Sequence, residues 1–443
     1  MTRRVFALLL CLTFVCLPLL AACGEAAESG RTVTLYVYNW GEYISDGYED
    51  TRDVNAEFEE YCRTVLGKNV KVNYSTFSSN EDMYAKVSSG AALYDVIIPS
   101  DYMIERMIAE GRLRPLNMAN IPNYAYIRDD LKGENVYYEP GEGQTYSVPY
   151  FYGQIGILYN TERVSEDAET FGTWALMWDE DYKGEILQIN NSRDAFGSAF
   201  YMLGYGDYIN TTGPEYNQYW QEALDKLKEQ KKLVQGYVMD EVFYKMKSGS
   251  ASIAAYYAGD FLSMYEENDA LAFYYPREGT NRYVDAMCVP SNAKNPELAE
   301  LYINFMCRPD VALANAAYTY YASPLDFDAI EAEGNEDYVA ALDEYRETMA
   351  EVHEDAIEIL YGDVASSVPT WPYMNLSPEG LAMLNDLWEE LKVESDVSVG
   401  IIVLASVILA ACAGLAIFYA VRARRRKKWR DGLWVTQKDT AKQ

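Results

Sequence analysis

Twenty-five consecutive positions, Val397–Val421, carry no charge, and a basic tail follows at once. A helix of that length reaches about 37 Å at 1.5 Å per residue, enough to cross the roughly 30 Å hydrocarbon core of a bilayer. A soluble helix of six turns needs a polar face, so the run predicts a single transmembrane helix. Arg422, Arg424, Arg425, Arg426, Lys427, Lys428 and Arg430 come next. The positive-inside rule then places the tail, residues 422–443, in the cytoplasm. At the other end Arg3 and Arg4 precede the apolar run Val5–Leu20, which has the shape of a secretory signal peptide over residues 1–22 rather than of a span. The region between these two ends is therefore expected outside the cell.

The charge balance fits that placement. The formal net charge is −31, and the basic tail lies outside the central region, which is more acidic still. Such a field repels nucleic acid and anionic lipid and concentrates cations. The segment Leu20-Ala21-Ala22-Cys23 resembles a bacterial lipobox, which implies a lipid on Cys23. Only Cys62, Cys288 and Cys307 lie in the central region, an odd number without metal-like spacing. A hydrophobic core, not a disulfide scaffold, must hold the fold, and neither a metal nor another cofactor is expected.

Short β-branched and aromatic runs alternate with amphipathic stretches, which reads as α/β. Strands are expected at Val33–Tyr38, Val70–Tyr74, Asp95–Pro99, Gln154–Tyr159, Ile186–Ile189, Ser252–Tyr257 and Tyr283–Val289. Helices are expected at Arg52–Leu66, Asn80–Ser88, Tyr102–Glu110, near Asp194–Leu203, at Glu215–Lys232, from Pro296 to Cys307 and at Pro378–Val393. The opening βαβαβα order predicts a parallel sheet.

Chemistry collects where strands end. Val33–Tyr38 runs into Asn39-Trp40-Gly41-Glu42-Tyr43, Asp95–Pro99 into Ser100-Asp101-Tyr102, and Ser252–Tyr257 into Ala258-Gly259-Asp260. Ligands of open α/β sheets bind beyond the carboxyl ends of strands. A fourth pair, Tyr283 and Asp285, shares one strand face because residues two apart point the same way. Aromatic rings and carboxylates together suit an organic cation: ring faces attract ammonium groups and carboxylates accept their charged hydrogen bonds. Asp101 reads as pointing to solvent, and the one histidine, His353, as a surface residue in the acidic stretch Glu351–Asp355.

Tyr38-Asn39-Trp40-Gly41-Glu42-Tyr43-Ile44, Ser79-Asn80-Glu81, Tyr94-Asp95-Val96-Ile97-Ile98-Pro99-Ser100, Ser147-Val148-Pro149-Tyr150, Val284–Asn295 and Asn304–Val311 occur in this order. Together they resemble the bacterial periplasmic spermidine/putrescine-binding proteins. The resemblance implies the two-lobed type II periplasmic-binding-protein fold with a hinged ligand cleft, and delivery of a polyamine to the permease subunits of an ABC transporter. It implies ligand contacts from Trp40, Glu42, Tyr43, Ser100, Tyr102, Asp194, Tyr257, Asp260, Tyr283, Asp285 and Tyr321. Asp285 would be the main amine-binding carboxylate. Asn191 stands where the spermidine branch has Asp, and Gly41 replaces the usual Ser or Thr, so the choice of polyamine stays open.

One lobe is expected to hold residues 31–148 and 284–327, the other 149–283 and 328–394, with the span at 397–421. The expected protein is a non-enzymatic polyamine binder held at the cell membrane, its binding region extracytoplasmic. The rival reading of the same residues is a membrane-anchored extracellular glycoside hydrolase or carbohydrate-binding protein, with paired carboxylates for catalysis and aromatics as sugar platforms.

Overall fold

The structure, a computed structural model, describes residues 32–48, 51–90, 92–141, 143–362 and 368–393. The signal segment, Cys23, the apolar run 397–421 and the basic tail lie outside the described residues. Among the described residues no helix is long and apolar enough to cross a membrane. The chain divides into two compact units, Met1–Asp386 and Leu387–Gln443; the fold below is that of the first.

β1 (Val33–Trp40) places Leu35 and Val37 in the core. Helix α1 (Val54–Thr64) starts where the Asp53 carboxylate accepts from the Ala56 amide at 2.9 Å, satisfying one of the amide groups a helix start leaves free. β2 (Val70–Phe77) follows, then α2 (Asn80–Ser88), capped by Ser79 Oγ on the Asp82 amide. β3 (Val96–Ile97) and α3 (Asp101–Ala109) complete this part. β1 pairs in parallel with β2 and β3, as the opening βαβαβα order predicts.

β4 (Ser147–Asn160), at 14 residues, is more than twice the expected length. It begins seven residues before Gln154 because Pro149 is accommodated at an irregularity in the ladder, between Pro149 and Phe151. β5 (Ile186–Ile189), α4 (Ser192–Met202), α5 (Asn217–Lys231), β6 (Val234–Val238), α6 (Glu241–Lys247), β7 (Ile253–Tyr257), α7 (Ala258–Glu267) and β8 (Leu271–Tyr274) come next. β9 (Thr280–Cys288) then returns the chain. It pairs antiparallel with β3 and, from Ser147↔Cys288 to Gln154↔Arg282, with β4. The remaining half of β4 pairs antiparallel with β7 and β8, while β5 lies parallel to β6 and β7. Helices α8 (Pro296–Met306), α9 (Pro309–Thr319), α10 (Phe327–Glu333), α11 (Glu336–Val352) and α12 (Ala356–Tyr361) follow, and β10 (Thr370–Trp371) pairs with the start of β9.

The strand order is β2-β1-β3-β9-β4-β7-β5-β6. Two strand groups therefore exist, β1–β3 and β5–β8; β9 pairs with the first through β3, β4 with the second through β7 and β8, and β4 and β9 pair with each other between them. Cys62, Cys288 and Cys307 are buried free thiols. His353 departs from the surface expectation: it is half-buried at the end of α11, edge-on to Tyr265 at 4.6 Å and to Phe261 at 5.8 Å. The acidic composition around it did not betray that the imidazole covers an aromatic face.

Gly156 sits where β4 is flanked by β7 and β8. A Cβ there would enter the Phe273 ring and lie 2.6 Å from the Tyr274 carbonyl oxygen. Gly156→Ala is expected to lower stability by about 1–3 kcal/mol, as overpacking of a filled core does. Urea unfolding of the variant beside the parent measures it; equal midpoints would contradict this account of the packing.

Candidate functional site

The strand ends converge. β1 ends at Trp40, and Glu42 takes a left-handed backbone, φ 48°, turning the chain so that Tyr43 points back inward and is 4% exposed. Ser100 ends the β3 segment and precedes α3, Tyr257 ends β7, and Asp260 lies in the first turn of α7. Gly259 permits a close approach here: a Cβ on it would lie 2.9 Å from the Tyr320 carbonyl oxygen and 3.1 Å from the Tyr321 ring. Tyr283 and Asp285 leave β9 on one face, as the two-residue period requires. Asn191 caps α4, its Oδ1 accepting from the amides of Arg193 at 2.8 Å and Asp194 at 3.4 Å. Asn is among the best capping residues, so its carboxamide is engaged with the helix start.

All eleven residues expected at the site line one cavity of about 420 Å³. Three of the buried carboxylates that line it each accept from a tyrosine hydroxyl. Asp285 accepts from Ser100 Oγ at 2.6 Å and from Tyr43 OH at 2.7 Å. Asp260 accepts from Tyr321 OH at 2.8 Å, and Asp194 from Tyr257 OH at 3.0 Å. Burial pushes Asp285 up to about 6, against the lowering effect of its two donors. Burial likewise raises Asp260 to about 7, with the negative charges of Asp240 and Glu42 adding to it. Asp194 also rises to about 7 through burial, with Tyr257 and Tyr373 opposing the shift. Loss of water outweighs the hydrogen bonds at all three.

Ser100 is itself held: its amide donates to Asn80 Oδ1 at 3.1 Å, and Asn80 Nδ2 donates to Ser100 Oγ at 3.0 Å and to Tyr102 OH at 3.1 Å. Tyr102 OH donates in turn to Glu81 at 3.0 Å. The Ser79-Asn80-Glu81 segment thus positions Ser100, one of the two donors of Asp285. Aromatic walls pack edge to face, Tyr43 against Tyr321 at 4.6 Å and Tyr257 against Tyr283 at 5.3 Å, while Trp40 tilts on Phe77 at 4.5 Å. These rings form apolar walls of the cavity.

One expectation fails. Asp101 does not point to solvent: it is 2% exposed, lines the cavity, and its Oδ1 accepts from the Tyr102 amide at 2.8 Å. Burial holds its carboxyl well above the usual range. The first residue of α3 faces inward because the helix packs back on β9, an orientation that strand-end spacing does not specify. Asp240, Phe243, Tyr256, Arg193 and Tyr373 also line the cavity and went unnoticed in the sequence. The strand-end rule reaches Asp240, since β6 ends two residues before it; β6 itself, Val-Gln-Gly-Tyr-Val, shows too little alternation to be recognised.

A twisted α/β sheet with a cavity at its strand ends, crossed by two long strands, is the architecture of the periplasmic binding proteins. A substrate-binding protein of a spermidine/putrescine ABC transporter from Streptococcus pneumoniae, solved with calcium and HEPES, superimposes with a TM-score of 0.61 at 31% identity, covering 81% of this chain and 98% of that one. A lipoprotein of Treponema pallidum superimposes at 0.55 with 26% identity, over 72% of this chain and 99% of the other. The Escherichia coli spermidine/putrescine-binding periplasmic protein is 31% identical over 303 residues, 68% of this chain and 80% of its own length. The profile of the family described as bacterial extracellular solute-binding protein matches residues 91–343. The chain belongs to that family, and within it is similar to the spermidine/putrescine-binding proteins.

Tyr43→Phe removes one of the two donors that favour the ionised form of Asp285. The Asp285 titration is expected to move upward from about 6. Carboxyl-carbon NMR across pH 4–9 reads it, and an unmoved midpoint would show that the Tyr43 hydroxyl does not hold this charge.

Proposed function

We propose that the cavity captures a protonated polyamine outside the cytoplasm and presents it to the permease subunits of an ABC transporter, without chemical change. One observation carries this reading: Asp194, Asp260 and Asp285, three of the four buried carboxylates that line a single aromatic-walled cavity, each accept from a tyrosine hydroxyl. Each resists ionisation while desolvated, and an ammonium group placed against it restores the charge. Relatives support the ligand class. Besides the spermidine/putrescine binder, a Pseudomonas aeruginosa putrescine/cadaverine-binding protein is 27% identical over 296 residues.

In this reading Asp285 is the primary anchor, Asp260 with Glu42 holds another amine, and Asp194 is a further acceptor. Ser100 orients Asp285, while Trp40, Tyr43, Tyr102, Tyr257, Tyr283 and Tyr321 enclose the methylenes. The two strand groups are the cores of two lobes, and β4 and β9 form the hinge between them, near residues 148–149 and 283–284. Tyr321 OH on Asp260 then joins residues of different lobes. The tether is part of the same proposal: a lipid on Cys23 and the span 397–421 would keep the binding region at the membrane. That arrangement raises its effective concentration at a transporter.

Calorimetric titration with diamines, polyamines, amino acids and sugars tests the ligand class; amines alone are expected to bind. Asp285→Asn is expected to weaken polyamine binding by about 2–5 kcal/mol, the usual effect of removing one partner of a buried charge pair. Undiminished affinity in that variant would remove Asp285 from the site.

The pH dependence follows from the same three groups. Their folded values of about 6 to about 7 lie above the ordinary carboxylate range. The unliganded fold therefore binds these protons more tightly than the unfolded chain does. Their contribution to stability is fully present below about pH 4 and is lost as pH rises through 6 to 7. Ammonium binding favours the ionised forms, so affinity should fall as pH drops from 8 to 6. Melting curves should show the unliganded midpoint rising on this acidification while the ligand-induced increase shrinks. Asp194→Asn should flatten both trends; an enlarged ligand effect at pH 6 would reverse the assigned signs.

A further inference from the structure

Arg193 is the residue that a simple polyamine site leaves unexplained. It is 3% exposed and lines the same cavity as the three carboxylates. Its guanidinium carbon lies 5.0 Å from the Tyr102 ring centre and 5.8 Å from that of Tyr373, and Nη2 donates to the Met374 carbonyl at 2.8 Å. Nη1 is buried and has no hydrogen-bond partner among the described residues. Trp40 Nε1 is a second buried donor of this cavity without a partner. A desolvated N–H without an acceptor is costly, more so on a charged group. A protonated amine offers only N–H donors, as a lysine ammonium does. It can satisfy Asp285, Asp260 or Asp194, but it cannot satisfy Arg193 Nη1.

Arg193 and Asp194 are consecutive residues in the first turn of α4, and both line the cavity. This wall therefore presents a fixed cation and an anion side by side, whereas Asp285 and Asp260 present acceptors alone. A neutral group with one donor and one acceptor, an amide, matches such a pair. We propose that the α4 wall is an amide subsite and that the ligand is a mono-N-acylated diamine or polyamine. Its carbonyl oxygen accepts from Arg193 Nη1, its amide N–H donates to Asp194, and its free ammonium goes to Asp285 or Asp260. This rests on the polyamine reading above and narrows it to a substrate class.

Calorimetric titration of the full chain in detergent with putrescine, N-acetylputrescine and N-ethylputrescine tests it. The ethyl compound matches the acetyl compound in size but carries a second ammonium in place of the amide. N-acetylputrescine is expected to bind at least as tightly as putrescine and tenfold or more tighter than N-ethylputrescine. Arg193→Met should weaken N-acetylputrescine at least tenfold and putrescine less than threefold. Putrescine binding with N-acetylputrescine weaker than it would overturn the amide subsite and leave the polyamine reading standing. Binding of none of the three would overturn both. Should Arg193→Met fail to fold, as circular dichroism would report, the ranking of ligands on the parent decides the matter alone. Equal losses for both ligands in a folded Arg193→Met would also overturn it.

Discussion

The antiparallel pairing of β4 with β9 is the contact on which the rest of the structure depends. It runs from Ser147↔Cys288 to Gln154↔Arg282 and joins two strand groups that otherwise have separate ladders. Because β9 alternates, one face of it delivers Tyr283 and Asp285 together to the cavity. The same strand meets β3 at Ile97↔Cys288, and the isolated bridge Ser100↔Asp285 continues that contact to the hydroxyl that grips the carboxylate. A one-residue slip of β9 would turn both side chains to the opposite face. Backbone pairing and site geometry are thus one constraint.

Desolvation governs the electrostatics of the cavity. Asp101 and Asp285 lie close in it, and both are nearly inaccessible to water. Burial carries Asp101 well above the usual range, with the charge of Asp285 adding to it, despite the amides of Tyr102 and Val284 and the Tyr137 hydroxyl. Asp285, with the hydroxyls of Ser100 and Tyr43, rises only to about 6. The Ser100 and Tyr43 hydroxyls favour the ionised form of Asp285. The left-handed turn at Glu42 supplies one of them by returning Tyr43 to the interior.

Much of this was legible in the sequence. Strands ending in aromatic–acid pairs stand out because alternation and breaker residues both mark the end of a strand, and the parallel β1–β3 arrangement follows from the spacing of its helices. The antiparallel entry of β9 is different: it depends on which strand group the chain last visited, a long-range fact. Asp101 was misread because the direction of a helix's first side chain is set by how α3 packs, not by local spacing. Asp240 was missed because β6 contains Gln235 and Gly236 and lacks the alternation that identifies a strand. Arg193 was passed over because a cation in a site otherwise built of acids runs against composition. The apolar run 397–421, the plainest signal in the chain, lies outside the described residues.

Net charge and the cavity act at different ranges. A chain carrying −31 attracts any cation, but solvent ions screen that attraction beyond about 8 Å at physiological salt. It can speed arrival without distinguishing one cation from another. Discrimination has to come from groups that lose their water, where an unmatched donor or acceptor is costly. In this cavity those groups include Asp101, Asp194, Asp260 and Asp285 on the accepting side and Arg193 and Trp40 on the donating side. In the proposed reading Asp260 and Asp285 take the ammonium groups of a polyamine, and the Arg193 guanidinium takes the carbonyl of an acylated end.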